Sequence, residues 1–441
     1  MQIEKISKKH HMKMPWHSLA KNDVKIIDAN LSEKASVIGR IGIILLASGT
    51  GAWRVRYSMN SVARVLGVTC SADIGLTSIE LTCVEAGNSY TQALSVSNSG
   101  LNTDKLGEIE NFVNLFQAEG INMTTEEIHT VLDHIQNKVG NYSEIIHGLA
   151  AALACCAFTF LLGGGPIEMF CAFIGSGCGN WIRNLMTKKQ ITLFAKIAVS
   201  VATACLTYAL SFYLLRYIFQ ISANHEAGYI GAMLFIVPGV PFVTSGLDIA
   251  KMDMRSGIER LAQAIVIVSV STLVGWICAL LVHLKPESFN KLSISLAFLV
   301  IFRLIASFCG VFGFSLMFNS KINIATAAGI IGAIANTCRL ELVDLLHYYP
   351  ALAAFIGAFI AGILAAIFQR KLHCPIIAIT VPSIVIMVPG LYMYHAVYEL
   401  GINSLVNSAF WFTQAALIVI FLPLGLIAAR ILTDDKWRYA G

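Results

Sequence analysis

The stretch FIVPGVPFVTSGLD, from Phe235 to Asp248, places two prolines and two glycines inside a segment that is otherwise as apolar as a membrane helix. Proline lacks an amide donor and clashes with the preceding turn, and glycine allows backbone conformations outside the helix. In hydrocarbon, backbone groups freed in this way are tolerated only beside other protein or a water-filled cavity. The stretch therefore predicts a discontinuous helix whose free ends can bind a carboxylate and a cation.

The composition of the chain indicates that this helix lies in a bilayer. Of the 441 residues, 56% are hydrophobic and 13% are charged, and apolar runs follow one another from Ser143 onward. Because about 20 apolar residues span the bilayer core as a helix, the sequence predicts a polytopic α-helical membrane protein. The ten predicted spans are 143–162, 166–183, 192–219, 227–247, 258–283, 291–318, 322–340, 349–369, 376–400 and 407–430.

Residues 1–142 have the patterning of a separate, non-membrane domain. Asp28 to Leu66 is predicted to be helical, and Asp73 to Val96 alternates and turns near Ala86–Asn88 like a β-hairpin. The N-terminus is basic and polar without an apolar core, so we expect no secretory signal. The sequence predicts a small α+β domain in the cytoplasm.

Loop charge predicts the orientation of the membrane part. The predicted inner loops and the C-terminal tail carry twelve lysines and arginines, against four on the outer side. Because positive residues are retained on the cytoplasmic side, both termini are predicted to be cytoplasmic.

An internal repeat follows from a second copy of the opening motif. MVPGLYMYHAVYE, from Met387 to Glu399, resembles the first motif, and an acid follows the proline at the same distance in both. A second pair, Asn180-Trp-Ile-Arg183 and Asn336-Thr-Cys-Arg339, occurs in the second and seventh spans. Five spans form each half, and because five is odd, we predict two inverted repeats at 143–285 and 286–441.

The two motifs supply the candidate binding residues. We expect the substrate to bind at the breaks and at nearby hydroxyl groups, with acids carrying coupled protons. The substrate-binding candidates are Pro238, Gly239, Thr244, Ser245, Pro389, Gly390, Tyr392 and Tyr394. The proton-coupling candidates are Asp248 and Glu399, which an alternative interpretation treats as solvent-facing or capping acids. The secondary candidates are Arg303, Glu168, Asn180, Arg183, Asn336 and Arg339. Arg303 is interpreted either as an anion-binding residue or as an arginine that reaches the outer interface, and Glu168 as an acid near the outer boundary, which an alternative interpretation treats as solvent-facing. The other four are interfacial anchors or symmetric gates.

At these residues the chain resembles the threonine/serine exporters. GAWRVRYSMNSVARVLGV, from Gly51 to Val68, is similar to a family pattern in the N-terminal domain, although Arg56 replaces its acid. LLGGG at Leu161–Gly165, VPGVPFVTSGLDI with the later SGIER, and VPGLY also resemble the family.

The resemblance implies a bacterial inner-membrane exporter of threonine and serine, driven by the proton motive force. Split relatives imply an alternative, the export of dicarboxylates such as succinate. A channel-like protein gated by its cytoplasmic domain is a third interpretation.

No Walker-type glycine loop and no zinc, serine-histidine or protease motif is found in the sequence. We therefore expect a transporter that is not an enzyme, with no cofactor, no metal and no nucleic-acid partner. Its expected partners are a small amino acid or carboxylate, protons and membrane lipid. The N-terminal domain is interpreted as a regulatory domain or as a platform for homo-oligomers.

Overall fold

The fold is taken from a computed structural model that describes residues 14–20, 23–220, 228–283 and 294–439. The chain divides into two compact units. The first comprises Met1–Val139 with Lys251–Glu259, and the second comprises Gly140–Ala250 with Arg260–Gly441. The predicted boundary between the two membrane repeats, at 285/286, lies outside the described residues.

The first unit combines four helices with a three-stranded antiparallel sheet in the order β1-β2-β3. The elements are α1 (Leu31–Ala47), α2 (Ala52–Val65), β1 (Thr69–Ile74), β2 (Ser78–Glu85), β3 (Asn88–Ser95), α3 (Thr103–Leu115) and α4 (Thr125–Asn137). Short 3-10 helices lie at Trp16–Leu19, Ile26–Asp28 and Gly120–Asn122.

Local sequence explains these elements. The Asn30 side chain accepts a hydrogen bond from the Glu33 amide and so caps α1. The predicted hairpin is confirmed: Glu85 pairs with Asn88, and both residues of the intervening turn have positive φ, 49° at Ala86 and 84° at Gly87. The segment from Asp28 to Leu66, predicted to be helical, forms two helices, because the chain leaves the helical conformation after α1 at Gly49, whose φ is 81°.

The short segment Lys251–Glu259 is joined to the rest of the first unit by ion pairs and a hydrogen bond. Arg56 of α2 pairs with Asp253, and Arg255 pairs with Asp73 of β1. Glu259 accepts a hydrogen bond from the Leu76 amide. Arg56, which departs from the family pattern, therefore has a carboxylate partner within this unit.

The second unit is helical throughout the part of it that is described. Its helices are α5 (Glu144–Leu161), α6 (Pro166–Lys188), α7 (Leu193–Phe219), α8 (Gly228–Met233), α9 (Gly239–Ala250), α10 (Met254–Leu281), α11 (Leu296–Met317), α12 (Ile322–Asp344), α13 (Pro350–Leu372), α14 (Ile376–Val385), α15 (Gly390–Gly401) and α16 (Leu405–Thr433). The first six residues of α10 belong to the first unit. Two 3-10 helices lie at Leu234–Ile236 and Asp435–Trp437.

Six of these helices are long and apolar enough to cross a membrane: α5, α7, α10, α11, α13 and α16. Two bent pairs raise the number to eight if each is one span. The first pair, Gly228–Ile236 with α9, is bent by 54°, and the second, α14 with α15, is bent by 45°. The chain is therefore a multi-pass membrane protein with two discontinuous helices.

Small residues allow the helices of the second unit to approach closely. A Cβ built on Gly313 of α11 would lie 2.5 Å from the Ala150 carbonyl oxygen of α5. A Cβ on Gly425 of α16 would clash with the Phe355 carbonyl oxygen of α13. Such contacts are typical of membrane helices, where close van der Waals packing drives association.

Candidate functional site

The two Val-Pro-Gly breaks pack against each other. A Cβ built on Gly239 would lie 3.1 Å from Val385 and 3.2 Å from Val388, at the second break. A Cβ on Gly390 would lie 2.7 Å from Leu234 and 3.0 Å from Val237, at the first break. Because each glycine lacks a side chain, residues of the opposite break can pack directly against it.

The backbone turns in the same way at both breaks. The amide of Gly239 donates to the Val237 carbonyl over 2.8 Å, and that of Gly390 donates to the Val388 carbonyl over 2.9 Å. The carbonyls of Pro238 and Pro389 each accept an amide at the start of the following helix. The two motifs thus produce the same local structure as well as the same sequence.

Asp248, one of the predicted coupling acids, forms a buried ion pair. Its Oδ2 lies 3.2 Å from Nε of Arg260, and both side chains are almost fully buried. Arg260 Nη1 also donates to Thr244 Oγ1 over 3.5 Å. Thr244, one turn before the acid, and Ser245 are buried on α9. The first half therefore holds a charged cluster two to three turns after its break.

Arg260, one of the twelve predicted inner-side cations and the last residue of SGIER, is not among the candidate site residues predicted from the sequence. It follows Asp248 after a tight turn at Lys251–Asp253, in which Met252 has a φ of 61°. The sequence does contain a signal for this pair, because Arg260 in SGIER follows Asp248, an acid in an apolar segment, by only twelve residues.

The second half carries aromatic groups at the corresponding place. Tyr392 is half-buried, and its ring lies 5.4 Å from that of Trp411 on α16. His395 stacks on the same indole at 5.0 Å. Glu399, the second predicted coupling acid, is partly exposed and accepts a hydrogen bond from Asn407 over 3.5 Å. Asp248 and Glu399 thus lie in unlike surroundings.

Tyr394 is fully buried one turn after the second break. Its ring stacks on Tyr398 at 6.3 Å, and it lies close to Gly275 of α10. Its hydroxyl group has no hydrogen-bond partner among the residues that the structure describes. A buried hydroxyl group of this kind is available to a ligand or to water.

The two Asn-x-x-Arg motifs contact the first helix of their own half. Asn180 Nδ2 donates to the His147 carbonyl of α5 over 2.8 Å, and Asn336 Nδ2 donates to Ser307 Oγ of α11 over 2.9 Å. Arg339 Nε donates to Asn336 Oδ1 over 3.0 Å. Arg183 lies at the matching place on α6. The asparagines therefore join neighbouring helices.

Arg303 and Glu168, the remaining secondary candidates, have structural partners. Arg303 Nη1 lies 2.7 Å from Glu341 Oε1, and its Nη2 pairs with Asp344. Glu168 Oε2 accepts a hydrogen bond from the Gly165 amide over 3.0 Å and so caps α6. The ion pairs of Arg303 join α11 to α12, and the hydrogen bond of Glu168 stabilises the first turn of α6.

Comparison with known proteins identifies the family of this chain. A family model described as a threonine/serine exporter matches residues 36–283, and a second, described as Threonine/Serine exporter, ThrE, matches residues 303–432. The chain is similar to a probable threonine/serine exporter of Mycobacterium tuberculosis, with 20% identity over 91% of this chain and 77% of that protein.

Two bacterial proteins named probable succinate transporter subunit YjjP are also similar. That of Klebsiella aerogenes is 23% identical over 58% of this chain and 96% of its own length. That of Escherichia coli is 22% identical over 54% of this chain and 90% of its own length. No solved structure matches the chain.

The first family model alone covers more than half of the residues, and the second covers most of the rest. Both describe transport rather than catalysis, which agrees with a helical membrane unit containing two discontinuous helices. The chain belongs to the threonine/serine exporter family and is a membrane exporter.

Proposed function

We propose that this chain exports threonine or serine across the bacterial inner membrane in exchange for protons. The observation that supports the proposal is the packing of the two Val-Pro-Gly breaks against each other. Discontinuous helices at the interface of two repeats are a recurring feature of substrate and ion sites in transporters. The substrate would bind where the breaks meet.

The proposed architecture is ten spans in two inverted repeats, α5 to α10 and α11 to α16. Matching helices support it: α6 and α12 are both 23 residues long, α9 and α15 are both 12, and α10 and α16 are 28 and 29. The two breaks would then belong to the fourth and ninth spans. In this arrangement residues 1–142 are a cytoplasmic domain, and both termini are cytoplasmic.

The zwitterionic substrate would be bound by groups of both halves. Thr244 and Ser245 supply hydroxyl groups on α9, and Tyr392 and Tyr394 supply phenols on α15. A threonine or serine side chain is itself a hydroxyl group, which such residues recognise by hydrogen bonding. The paired breaks would allow one half to rock against the other during transport.

Proton coupling would use the ion pair of Asp248 with Arg260. A buried carboxylate is held in its charged form by a neighbouring guanidinium. If that pair separates during transport, the carboxylate loses this stabilisation and takes up a proton. Glu399 holds the same sequence position in the second half and is partly exposed.

Dicarboxylate export is the second candidate. The similarity to two proteins named as succinate transporter subunits favours it, since each match covers more than half of this chain. Succinate shares its carboxylate chemistry with the amino acids but lacks the ammonium group.

The test is counterflow in proteoliposomes. Purified protein is reconstituted with labelled threonine, serine or succinate, with and without an imposed pH gradient. We expect saturable threonine or serine exchange, with gradient-driven uptake lost in Asp248→Asn and kept in Asp435→Asn, which changes an exposed carboxylate. Movement of succinate alone would assign the protein to dicarboxylates, and conductance without saturation would indicate a channel.

A further inference from the structure

The guanidinium group of Arg339 on α12 forms a hydrogen bond through only one of its three nitrogen atoms among the described residues. Its Nε donates to Asn336 Oδ1 over 3.0 Å, while its two Nη groups have no hydrogen-bond partner within residues 14–20, 23–220, 228–283 and 294–439. Asn336 is itself fixed, since it is fully buried and donates to Ser307 Oγ of α11. The contact of Nε with Asn336 therefore orients the side chain, and Nη1 and Nη2 remain available to bind a ligand.

Arg339 lies beside the second break. A Cβ built on Gly357 of α13 would lie 3.2 Å from Cβ of Arg339 and 3.1 Å from Sδ of Met387, a residue of the break itself. Tyr392, in the first turn after the break, is close enough to the guanidinium to interact electrostatically. Arg339 thus adjoins the place where the substrate is proposed to bind.

The acids nearest to Arg339 along α12 form their ion pairs with another cation, and the charge of Asp344 reaches Arg339 only from a distance. Glu341 and Asp344 both pair with Arg303, which lies between them and holds α11 on α12. Among the described residues, no carboxylate lies within ion-pair distance of Arg339. A cation that is partly withdrawn from water without an anion is costly, so such residues in membrane segments commonly serve a ligand or an ion pathway.

We propose that Arg339 binds the carboxylate group of the exported substrate through Nη1 and Nη2. This assignment rests on the proposed function. A guanidinium presents two parallel N–H groups that match a carboxylate, and the contact to Asn336 leaves those groups free. The ligand class is a small carboxylate, whether the α-carboxylate of an amino acid or one end of a dicarboxylate.

The matching residue of the first half has a different setting. Among the residues that the structure describes, Arg183 makes no hydrogen bond to Asn180, whereas Asn336 orients Arg339. Asn180, its partner by sequence, donates its amide to a backbone carbonyl of α5. The proposed site therefore belongs to the second half, and one carboxylate binds per chain.

The experiment measures ligand binding by thermal shift and transport by counterflow on the full chain. The proteins are wild type, Arg339→Gln, Arg339→Lys and, as control, Arg370→Gln, which removes an exposed arginine at the end of α13. The ligands are threonine, threoninamide, which lacks the carboxylate, and succinate. Monodisperse elution in detergent establishes that each variant is folded.

We expect threonine or succinate to stabilise the wild type and threoninamide to leave it unchanged. Arg339→Gln should weaken carboxylate binding at least about thirtyfold, because a desolvated charge pair loses one partner. Arg339→Lys should retain part of the affinity, since its ammonium keeps the charge without the paired donors. Arg370→Gln should behave like the wild type.

Two results would overturn the assignment: wild-type affinity in folded Arg339→Gln, or equal binding of threonine and threoninamide. If Arg339→Gln does not fold, Arg339→Lys and the threoninamide comparison on the wild type decide the question. A wild type that binds and moves none of these compounds would instead overturn the proposed export function. Stabilisation by threonine assigns the amino acid, and stabilisation by succinate alone assigns the dicarboxylate.

Discussion

At the scale of single residues, Asp248 and Arg260 form a buried ion pair in the first half, in which each charge neutralises the other. Both side chains are almost fully removed from solvent, so the pair is not a surface contact. Removing one partner from a buried pair leaves a charge without its compensation, which commonly costs about 3–5 kcal/mol. Replacing both partners with apolar groups of similar volume is often neutral or stabilising.

The first prediction follows from this asymmetry. Arg260→Met alone should lower the thermal stability of the purified protein strongly, because Asp248 loses its cation. The double variant Asp248→Leu with Arg260→Met should recover most of that stability but should not restore proton-driven transport. Unfolding in detergent and counterflow in vesicles measure the two effects.

A surface pair provides the control for this double-variant experiment. Asp435 and Arg438 are both well exposed, and their nearest atoms are 2.7 Å apart. Asp435→Asn should change stability by less than about 1 kcal/mol. Equal losses in the two single variants, Arg260→Met and Asp435→Asn, would contradict the assignment of a buried pair.

The second prediction concerns two histidines of the first unit with opposite pKa shifts. Burial, with Arg40 nearby, lowers the pKa of His129 to about 4, whereas hydrogen bonds to Asp133 and Glu126 raise the pKa of His17. The unfolded chain binds a proton at His129 near pH 6.5, and the folded chain does so only near pH 4. His129 therefore withdraws up to about 3 kcal/mol of stability as the pH falls through this range.

His17 acts in the opposite direction, since its contribution is present below pH 6.5 and is lost as the pH rises through its raised pKa. Hydrogen exchange of α4, corrected for intrinsic rates, measures both effects. From pH 7 to pH 5 we expect a smaller loss of protection in His129→Gln than in the wild type. In His17→Gln we expect a larger loss. Parallel pH profiles in all three proteins would show that neither histidine is linked to folding.

Part of the candidate site could be predicted from sequence at the level of residues. The acid at a fixed distance after each Val-Pro-Gly motif identified Asp248 and Glu399, because the repeat makes their positions comparable. The pairing with Arg260 could not be predicted, since it depends on a tight turn that returns the chain beside α9. Arg56 with Asp253 is a similar case, where a tertiary contact joins residues far apart in sequence.

At the scale of elements, the two discontinuous helices depend on proline and glycine for different reasons. Pro238 and Pro389 remove an amide donor at the break, which prevents the helix from continuing. Gly239 and Gly390 leave space for the opposite break, where a side chain would meet valine or leucine at 2.7–3.2 Å. Substitutions of proline and of glycine can therefore test the interruption of the helix and the contact between the two breaks separately.

The third prediction uses that separation. Pro389→Ala should reduce transport more than it reduces folded yield, because it restores a helical amide without adding bulk at the contact. Gly390→Val should reduce both, since its side chain meets Leu234 and Val237. Transport rate per folded molecule, from counterflow and size-exclusion yield, distinguishes the two effects.

Gly67, which ends α2 with a φ of 69° and has no neighbour within 4 Å of a built Cβ, offers a control glycine outside the membrane unit. Gly67→Ala should cost stability through backbone strain alone and leave the transport rate per folded molecule unchanged. A Pro389→Ala protein with wild-type rate and yield would show that the break is not needed for transport.

Element boundaries show why part of the fold could be predicted. The discontinuous helices follow from proline chemistry, and the hairpin at Ala86–Gly87 follows from alternation and turn residues. The division of Asp28–Leu66 into α1 and α2 could not be predicted from apolar periodicity, because both helices carry an apolar stripe. The left-handed conformation of Gly49 and the extended conformation of Gly51 separate them.

At the scale of the whole molecule, the two proposed repeats share the order of their helices, and three of the six helix pairs agree in length to within one residue, but the charges near their loops differ. The loop after α6 follows Lys188 and Lys189, whereas the loop after α12 follows Asp344. Both loops contain a residue in the left-handed region, with φ of 56° at Gln190 and 53° at His347. Positive charge is retained on the cytoplasmic side of a membrane, so the charge difference favours opposite sides for the two loops.

The fourth prediction is that Gln190→Cys and His347→Cys are labelled from opposite sides. Both are placed in a background without the eleven native cysteines, and a membrane-impermeant thiol reagent is applied to intact cells and to inverted vesicles. Gln190→Cys should react only in inverted vesicles, and His347→Cys should react in intact cells. The two positions are matched in backbone conformation and in place within the repeat, so each is the control for the other. Labelling of both from one side would mean parallel halves and an even number of spans in each, and it would remove the structural basis for alternating access around the paired breaks.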